Sequence, residues 1–261
     1  MNLILTSCLD LYSKTAEGIR IAHNFGNENG ILDLITKLTP KQENFVFVAS
    51  VEDNPVATDI YANITFESFK LTFPFKNYIV LDGRTKDNAK EIIESADFIF
   101  LCGGHVPTQN AFFNNINLKE IIKNTKALIV GGSAGSMNCA NIVYAQPELE
   151  GESLDENYSR YLTGLGLTDI SILPHFHERI DNTLDDKLIL TEISLPDSCV
   201  RPFIAYSDGA YIYDNGETQI MYGQSYLFEG GSYKQITNPS TVTDITNLVN
   251  SKFKNTKSIT K

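Results

Sequence analysis

Ser133 sits where a nucleophile could be built. The stretch Lys126-Ala-Leu-Ile-Val-Gly-Gly-Ser-Ala-Gly-Ser136 runs from an apolar, strand-type segment (Ala127 to Val130) straight into Gly131, Gly132, Ser133, Ala134 and Gly135. Small, helix-compatible residues follow: Ser136, Met137, Asn138, Cys139 and Ala140. This is the strand–turn–helix context of a nucleophile elbow, in which a strained central residue needs neighbours with almost no side chain. At the head of the following helix, unpaired backbone N–H groups can stabilise an oxyanion. A phosphate loop would require Gly-Lys-Ser/Thr, and a dinucleotide fingerprint a third glycine early in the chain. Neither pattern is present. A plain tight turn is the remaining alternative, and the flanking elements favour the elbow.

A serine nucleophile near neutral pH needs a base, usually histidine. The chain has four: His23, His105, His175 and His177. His23 lies in a polar region read as helical. His105 follows Cys102-Gly103-Gly104 at the end of an apolar strand, and His175 and His177 lie in Leu173-Pro174-His175-Phe176-His177, just beyond another. Ligands of open parallel sheets bind beyond the carboxyl ends of the strands. Three histidines and Ser133 are therefore expected on one edge. The order Ser, acid, His of α/β-hydrolases leaves little room for the acid before His177. Ser133, then His175, then a later acid fits better. Asp208, in Ile204-Ala-Tyr-Ser-Asp208-Gly209, ends an apolar strand; the competing reading is that an Asp before Gly is only a turn former.

These residues need a scaffold, and the apolar pattern supplies one. Short apolar runs (Leu3–Thr6, Phe45–Ala49, Tyr78–Leu81, Phe98–Leu101, Leu128–Val130 and Ile170–Leu173) alternate with helical patterns near Gly30–Leu38, Ala57–Leu71, Asn88–Ser95, Thr108–Lys123, Ala134–Tyr144 and Leu184–Ser194. Continuous apolar strands between amphipathic helices indicate an α/β fold with a mainly parallel sheet covered on both faces. Phe203–Asp208, Ala210–Asp214, Gln219–Tyr222 and Ser225–Phe228 are short strands with turns between them. They predict a short antiparallel C-terminal extension to the same sheet. A helix is expected near Thr241–Ser251. One domain spanning 1–252 and a polar tail at 253–261 is the simplest division. Ala145–Leu162 reads as a solvated loop, placed where a lid or substrate wall would lie.

Length and composition narrow the partners. The 261 residues contain 42% apolar side chains, ordinary for a globular chain with a substantial core. A net charge of −11, from 21 basic and 32 acidic residues, argues against nucleic acid or an anionic membrane as partner. No segment has the length of a membrane-spanning helix, and the N-terminus reads as a buried strand rather than a signal peptide. Cys8, Cys102, Cys139 and Cys199 are far apart and form no Cys-x-x-Cys pair. Reduced thiols and a cytoplasmic location are expected, with no zinc site.

With these residues in hand, the chain resembles the serine peptidase family of aspartyl dipeptidase (dipeptidase E) and cyanophycinase. That family's fold is like the class I glutamine amidotransferases and flavodoxins, with Ser replacing Cys at the elbow. The resemblance spans roughly residues 75–215. It rests on Gly131/Gly132-Ser133-Ala134-Gly135, on Gly103-Gly104 before a helix, and on Gly164-Leu165-Gly166-Leu167 with Pro174-His175-Phe176. It singles out His175 over His177. One departure is His105, which stands where the family has Asn. For the acid, the resemblance offers Glu148 or Asp208, and the strand-end position favours Asp208.

The resemblance implies a serine peptidase acting on small peptides as a monomer or homodimer, without metal or organic cofactor. Ser133, His175 and Asp208 would form the triad, and the N–H groups of Gly104 and Ala134 the oxyanion hole. His105 and Arg179 would contact substrate. Holding an aspartyl carboxylate needs a cation, and Arg160, Arg179 and Arg201 are the candidates. The alternative is an amidotransferase-like protein that binds a metabolite or peptide without hydrolysis. A glutaminase subunit would need Cys at position 133.

Overall fold

The computed structural model describes residues 1–254, apart from the side chains of Glu178 and Arg179. Five strands lie parallel: Asn2–Thr6 (β1), Asn44–Val48 (β2), Asn77–Leu81 (β3), Phe98–Leu101 (β4) and Leu128–Gly132 (β5). They pair in the order β3-β2-β4-β5-β1. Because strand side chains alternate in direction, one apolar run can serve two cores. Phe45 and Phe47 of β2, Phe98 and Phe100 of β4, and Leu128 and Val130 of β5 pack on one face. The helices Ile31–Leu38 (α1) and Pro55–Thr72 (α2) cover that face through Ile31, Ile35, Ala62, Phe66 and Phe69. Val46, Val48, Ile99, Leu101 and Ile129 pack on the other. There they meet Ala89–Ser95 (α3), Val106–Asn115 (α4) and Leu118–Ile122 (α5). The first face is rich in aromatic rings: Phe45 meets Phe69 edge-on at 4.8 Å and Phe98 at 4.7 Å.

Beyond β5 the expected helix over 134–144 is divided. Ala134–Asn138 is helical (α6), while Ile142–Tyr144 (β6) is a strand paired antiparallel with Tyr161–Thr163 (β7). Ile142, Val143 and Tyr144 are strand formers, and pairing with β7 overrides the helical pattern. The 145–162 segment is correspondingly less solvated than expected: Ala145 and Gln146 are buried. The expected helix over 108–123 breaks between α4 and α5, where Asn117 adopts a left-handed φ of 52°. The expected helix over 184–194 begins instead as a hairpin, Thr183–Leu184 against Lys187–Leu188, turned by Asp185 and Asp186 with φ of 52° and 62°. Asp tolerates this conformation, which two-residue hairpin turns require.

The C-terminal strands serve two sheets rather than one. Ile172–Leu173 (β8) pairs parallel with Phe203–Tyr206 (β9). Tyr211–Asp214 (β10) lies antiparallel to β1 and extends the main sheet through Gln219–Tyr222 (β11). Ser225–Glu229 (β12) and Ser232–Thr237 (β13) join β9 in the second sheet. Val242–Asp244 (β14) edges the main sheet, so the terminal helix is only Thr246–Lys252. Phe253, assigned to the polar tail by its neighbours in sequence, is buried in the core. The tail residues 255–261 lie outside the described residues. Among the described residues no helix is long and apolar enough to cross a membrane.

Candidate active site

Parallel strands put their carboxyl ends on one edge, and the candidate residues are carried there. Ser7 follows β1, Ser50 follows β2, Gly103 and Gly104 follow β4, and Ser133 follows β5. From the second sheet, His175 follows β8, and Asp208 follows β9, its parallel neighbour.

Ser133 has φ 50° and ψ −117°. A non-glycine residue held there costs about 1–3 kcal/mol, so its surroundings must over-determine it. They do. The Ser133 N–H donates to Thr6 O at 3.0 Å. Ser136 Oγ accepts from Thr6 N–H at 2.9 Å and donates to Thr6 O at 2.8 Å, clamping α6 to β1. The glycines are required by close approach. A Cβ on Gly135 would lie 2.0 Å from Leu101 O, and one on Gly131 would lie 2.6 Å from the Ser136 backbone. Across the turn, a Cβ on Gly104 would strike Ser50 at 2.5 Å. The first N–H groups of α6, beginning at Ala134, lack intrahelical partners by geometry. Gly104 and Ser133 line one cleft together.

His175 Nε2 lies 3.1 Å from Ser133 Oγ, and His175 Nδ1 lies 2.7 Å from Asp208 Oδ1. If Nδ1–H donates to the carboxylate, Nε2 is left to accept the serine proton. His175 itself has a left-handed φ of 58°. Its N–H donates to Ser7 Oγ at 3.2 Å, and that hydroxyl reaches the carbonyls of Tyr206 and Ser207. Ser7 thus ties the first strand to both histidine and acid loops. Nothing in the sequence distinguished it except its place just past a strand. His177 points elsewhere: its Nε2 is 3.2 Å from Gln224 Oε1, and its ring packs near Tyr226. His23 lies outside any helix, with Nε2 3.2 Å from Asp10.

Other expected contacts are redistributed. His105 caps α4; its Nδ1 lies 2.8 Å from Thr108 Oγ1 and its Nε2 2.8 Å from Glu152 Oε1. Both ring nitrogens lie close to protein groups, and the side chain joins this loop to the 145–162 segment. Glu152 Oε2 in turn accepts the N–H groups of Glu148 and Leu149 at 2.9 and 3.0 Å. Glu148 stands on a cleft wall with Pro147, while Nδ1 of His175 is taken by Asp208. Arg160 stacks on Tyr158 and lies 3.9 Å from Asp197. Arg201 is buried, and neither arginine lines a cleft at Ser133. Arg179 ends the short helix Phe176–Arg179 (α7), and its side chain lies outside the described residues. A buried amide network fixes the Gly103–Gly104 loop from behind. Gln109 Nε2 donates to Cys102 O at 2.6 Å, and Asn138 Nδ2 donates to Gln109 Oε1 at 3.1 Å.

Among the described residues no cluster of His, Cys, Asp and Glu could hold a metal ion. None of the four cysteines forms a disulfide. Burial pushes the Cys102 thiol up to about 12, so it stays neutral beside the cleft and is no rival nucleophile.

The main sheet is an α/β scaffold that carries these residues at one edge. The family model of peptidase family S51 matches residues 21–221, and the chain belongs to that family. Among solved structures, a peptidase from an acI-B1 Actinobacterium is similar, with a TM-score of 0.63 at 14% identity, over 93% of this chain and 96% of the other. A peptidase E-type protein from Listeria monocytogenes EGD-e superposes with a TM-score of 0.51 at 17% identity, over 90% of this chain and 98% of the other. Both share the α/β fold with its additional antiparallel strands. No curated protein matches the chain in sequence.

Proposed function

We propose that this protein is a serine peptidase that hydrolyses small peptides, dipeptides among them, through an acyl-enzyme. The observation that carries the reading is the hydrogen-bonded line from Ser133 Oγ through His175 to Asp208. Ser133 Oγ attacks the peptide carbonyl while His175 Nε2 takes its proton. The N–H groups of Gly104 and Ala134 receive the oxyanion, a donor type whose loss costs roughly 3 kcal/mol in the barrier. Collapse of the tetrahedral intermediate breaks the C–N bond, and His175 returns the proton to the leaving amine. Water, deprotonated by the same nitrogen, then releases the acid. Asp208 holds the imidazole in the required tautomer and stabilises its charged form. The 3.1 Å Ser133–His175 separation suits a resting site that tightens with substrate. Cysteines without disulfides favour a reducing, cytoplasmic setting.

The test is labelling by a serine-directed phosphonate, read by intact mass, alongside a dipeptide library. One adduct on Ser133 with amine release from the library is the expected result. Peptide binding with neither adduct nor hydrolysis would replace this reading with the non-hydrolytic one.

A further inference from the structure

Two cavities of opposite character meet at Ser133. The first is about 300 Å³ and the second about 620 Å³; Gly104, Ser133 and His175 border both. The larger is polar and carries the carboxylates of Glu148 and Asp181 on its wall. The smaller is walled by Leu9, Leu11, Tyr12, Phe47, Tyr61 and Phe100. Phe100 can come so near the nucleophile because residue 132 has no side chain: a Cβ on Gly132 would lie 3.0 Å from its ring. Arg20 stacks on the two tyrosines, 5.3 Å from Tyr12 and 4.7 Å from Tyr61, and donates to the Tyr61 hydroxyl at 3.0 Å. It braces the rings without lining the cavity. Among the described lining residues of the smaller cavity there is no lysine or arginine.

Resting on the reading of Ser133 as nucleophile, we propose that the smaller cavity selects peptides whose acyl-side residue is aromatic or large and aliphatic. The polarity of the two cavities decides the direction of binding. The acyl-side residue of a dipeptide carries the permanent α-ammonium, and the carboxylate-bearing cavity suits it. The side chain on the carbonyl's own residue then enters the apolar cavity, whose size suits one ring. An aspartyl carboxylate placed there would be desolvated among Leu9, Leu11, Phe47 and Phe100 with no cation on the cavity wall itself, which disfavours it.

The experiment compares Phe-Ala, Leu-Ala, Ala-Ala and Asp-Ala as substrates. In parallel it compares labelling rates of aminoalkyl phosphonate esters bearing benzyl or carboxymethyl side chains. Expected are kcat/KM values for Phe-Ala and Leu-Ala about 100-fold or more above Asp-Ala, and faster labelling by the benzyl ester. Ile64, on the cavity wall, offers a second measurement. Ile64→Trp should compress the Phe-to-Ala ratio about tenfold, with its melting temperature reporting an intact fold. Preference for Asp-Ala and for the carboxymethyl ester overturns the proposal; loss of that preference in Arg179→Gln would assign the missing cation to Arg179. Absence of any adduct on Ser133 would instead remove the nucleophile reading and this proposal with it.

Discussion

Among the described residues, two rows of hydroxyl, imidazole and carboxylate stand on different backbone. Ser133, His175 and Asp208 form the first, at 3.1 and 2.7 Å. Thr108, His105 and Glu152 form the second, both contacts at 2.8 Å. Distances alone do not separate them. The backbone beneath them does. Ser133 is held at φ 50° on a strand end, over a helix start and beside Gly104. Thr108 sits in the ordinary first turn of α4, three residues from the histidine that caps it. Thr108 lines neither cleft at Ser133. The second row works as a fastener, joining the loop after β4 to the segment after β6.

Paired substitutions test that contrast. Ser133→Ala should lower kcat by about 10⁶-fold and abolish phosphonate labelling, because triad members act as a unit. Thr108→Ala should leave kcat within about threefold, as a substitution outside the catalytic unit does. Comparable losses in both would erase the distinction. Steady-state kinetics on His175→Ala should resemble Ser133→Ala, whereas His105→Asn should retain turnover. Asp208→Asn should slow kcat by about 10⁴-fold with little change in melting temperature, since it mainly favours the wrong tautomer. Its counterpart Glu152→Gln should act on stability instead. Exchanging a charged for a neutral acceptor of two loop N–H groups costs about 1 kcal/mol, measurable by urea denaturation. The smallest effect is expected for His177→Ala, an exposed side chain whose removal changes stability by about 0.5 kcal/mol or less. A large kinetic defect there would move the base away from His175.

Much of the first row was legible because it depends on local pattern. Gly131 to Gly135 announce a turn no larger residue could make, and apolar runs mark strand ends within a residue or two. His175 stood out because histidines are few and because the resemblance at Pro174-His175-Phe176 favoured it over His177. The second row was hidden. His105 was visible as a departure from the family's Asn, but its partner Glu152 lies in a segment that reads as solvent-facing. Ser7 was equally hidden: its bond to the His175 N–H spans 168 positions of chain. The helix expected over 134–144 failed for a related reason, since Ile142–Tyr144 is a strand only because β7 is beside it.

By itself the sequence determined the local devices: a strained serine between glycines, apolar strands that feed two cores, and carboxyl-end loops rich in candidate groups. These follow from steric limits and side-chain periodicity, which act over a few residues. The tertiary structure decided which imidazole reaches Ser133, which carboxylate reaches that imidazole, and that aromatic residues wall one cavity while carboxylates face the other. Those outcomes depend on strands far apart in sequence becoming neighbours in two sheets. No local pattern encodes such pairings, because they arise only when the whole set of apolar faces is buried at once.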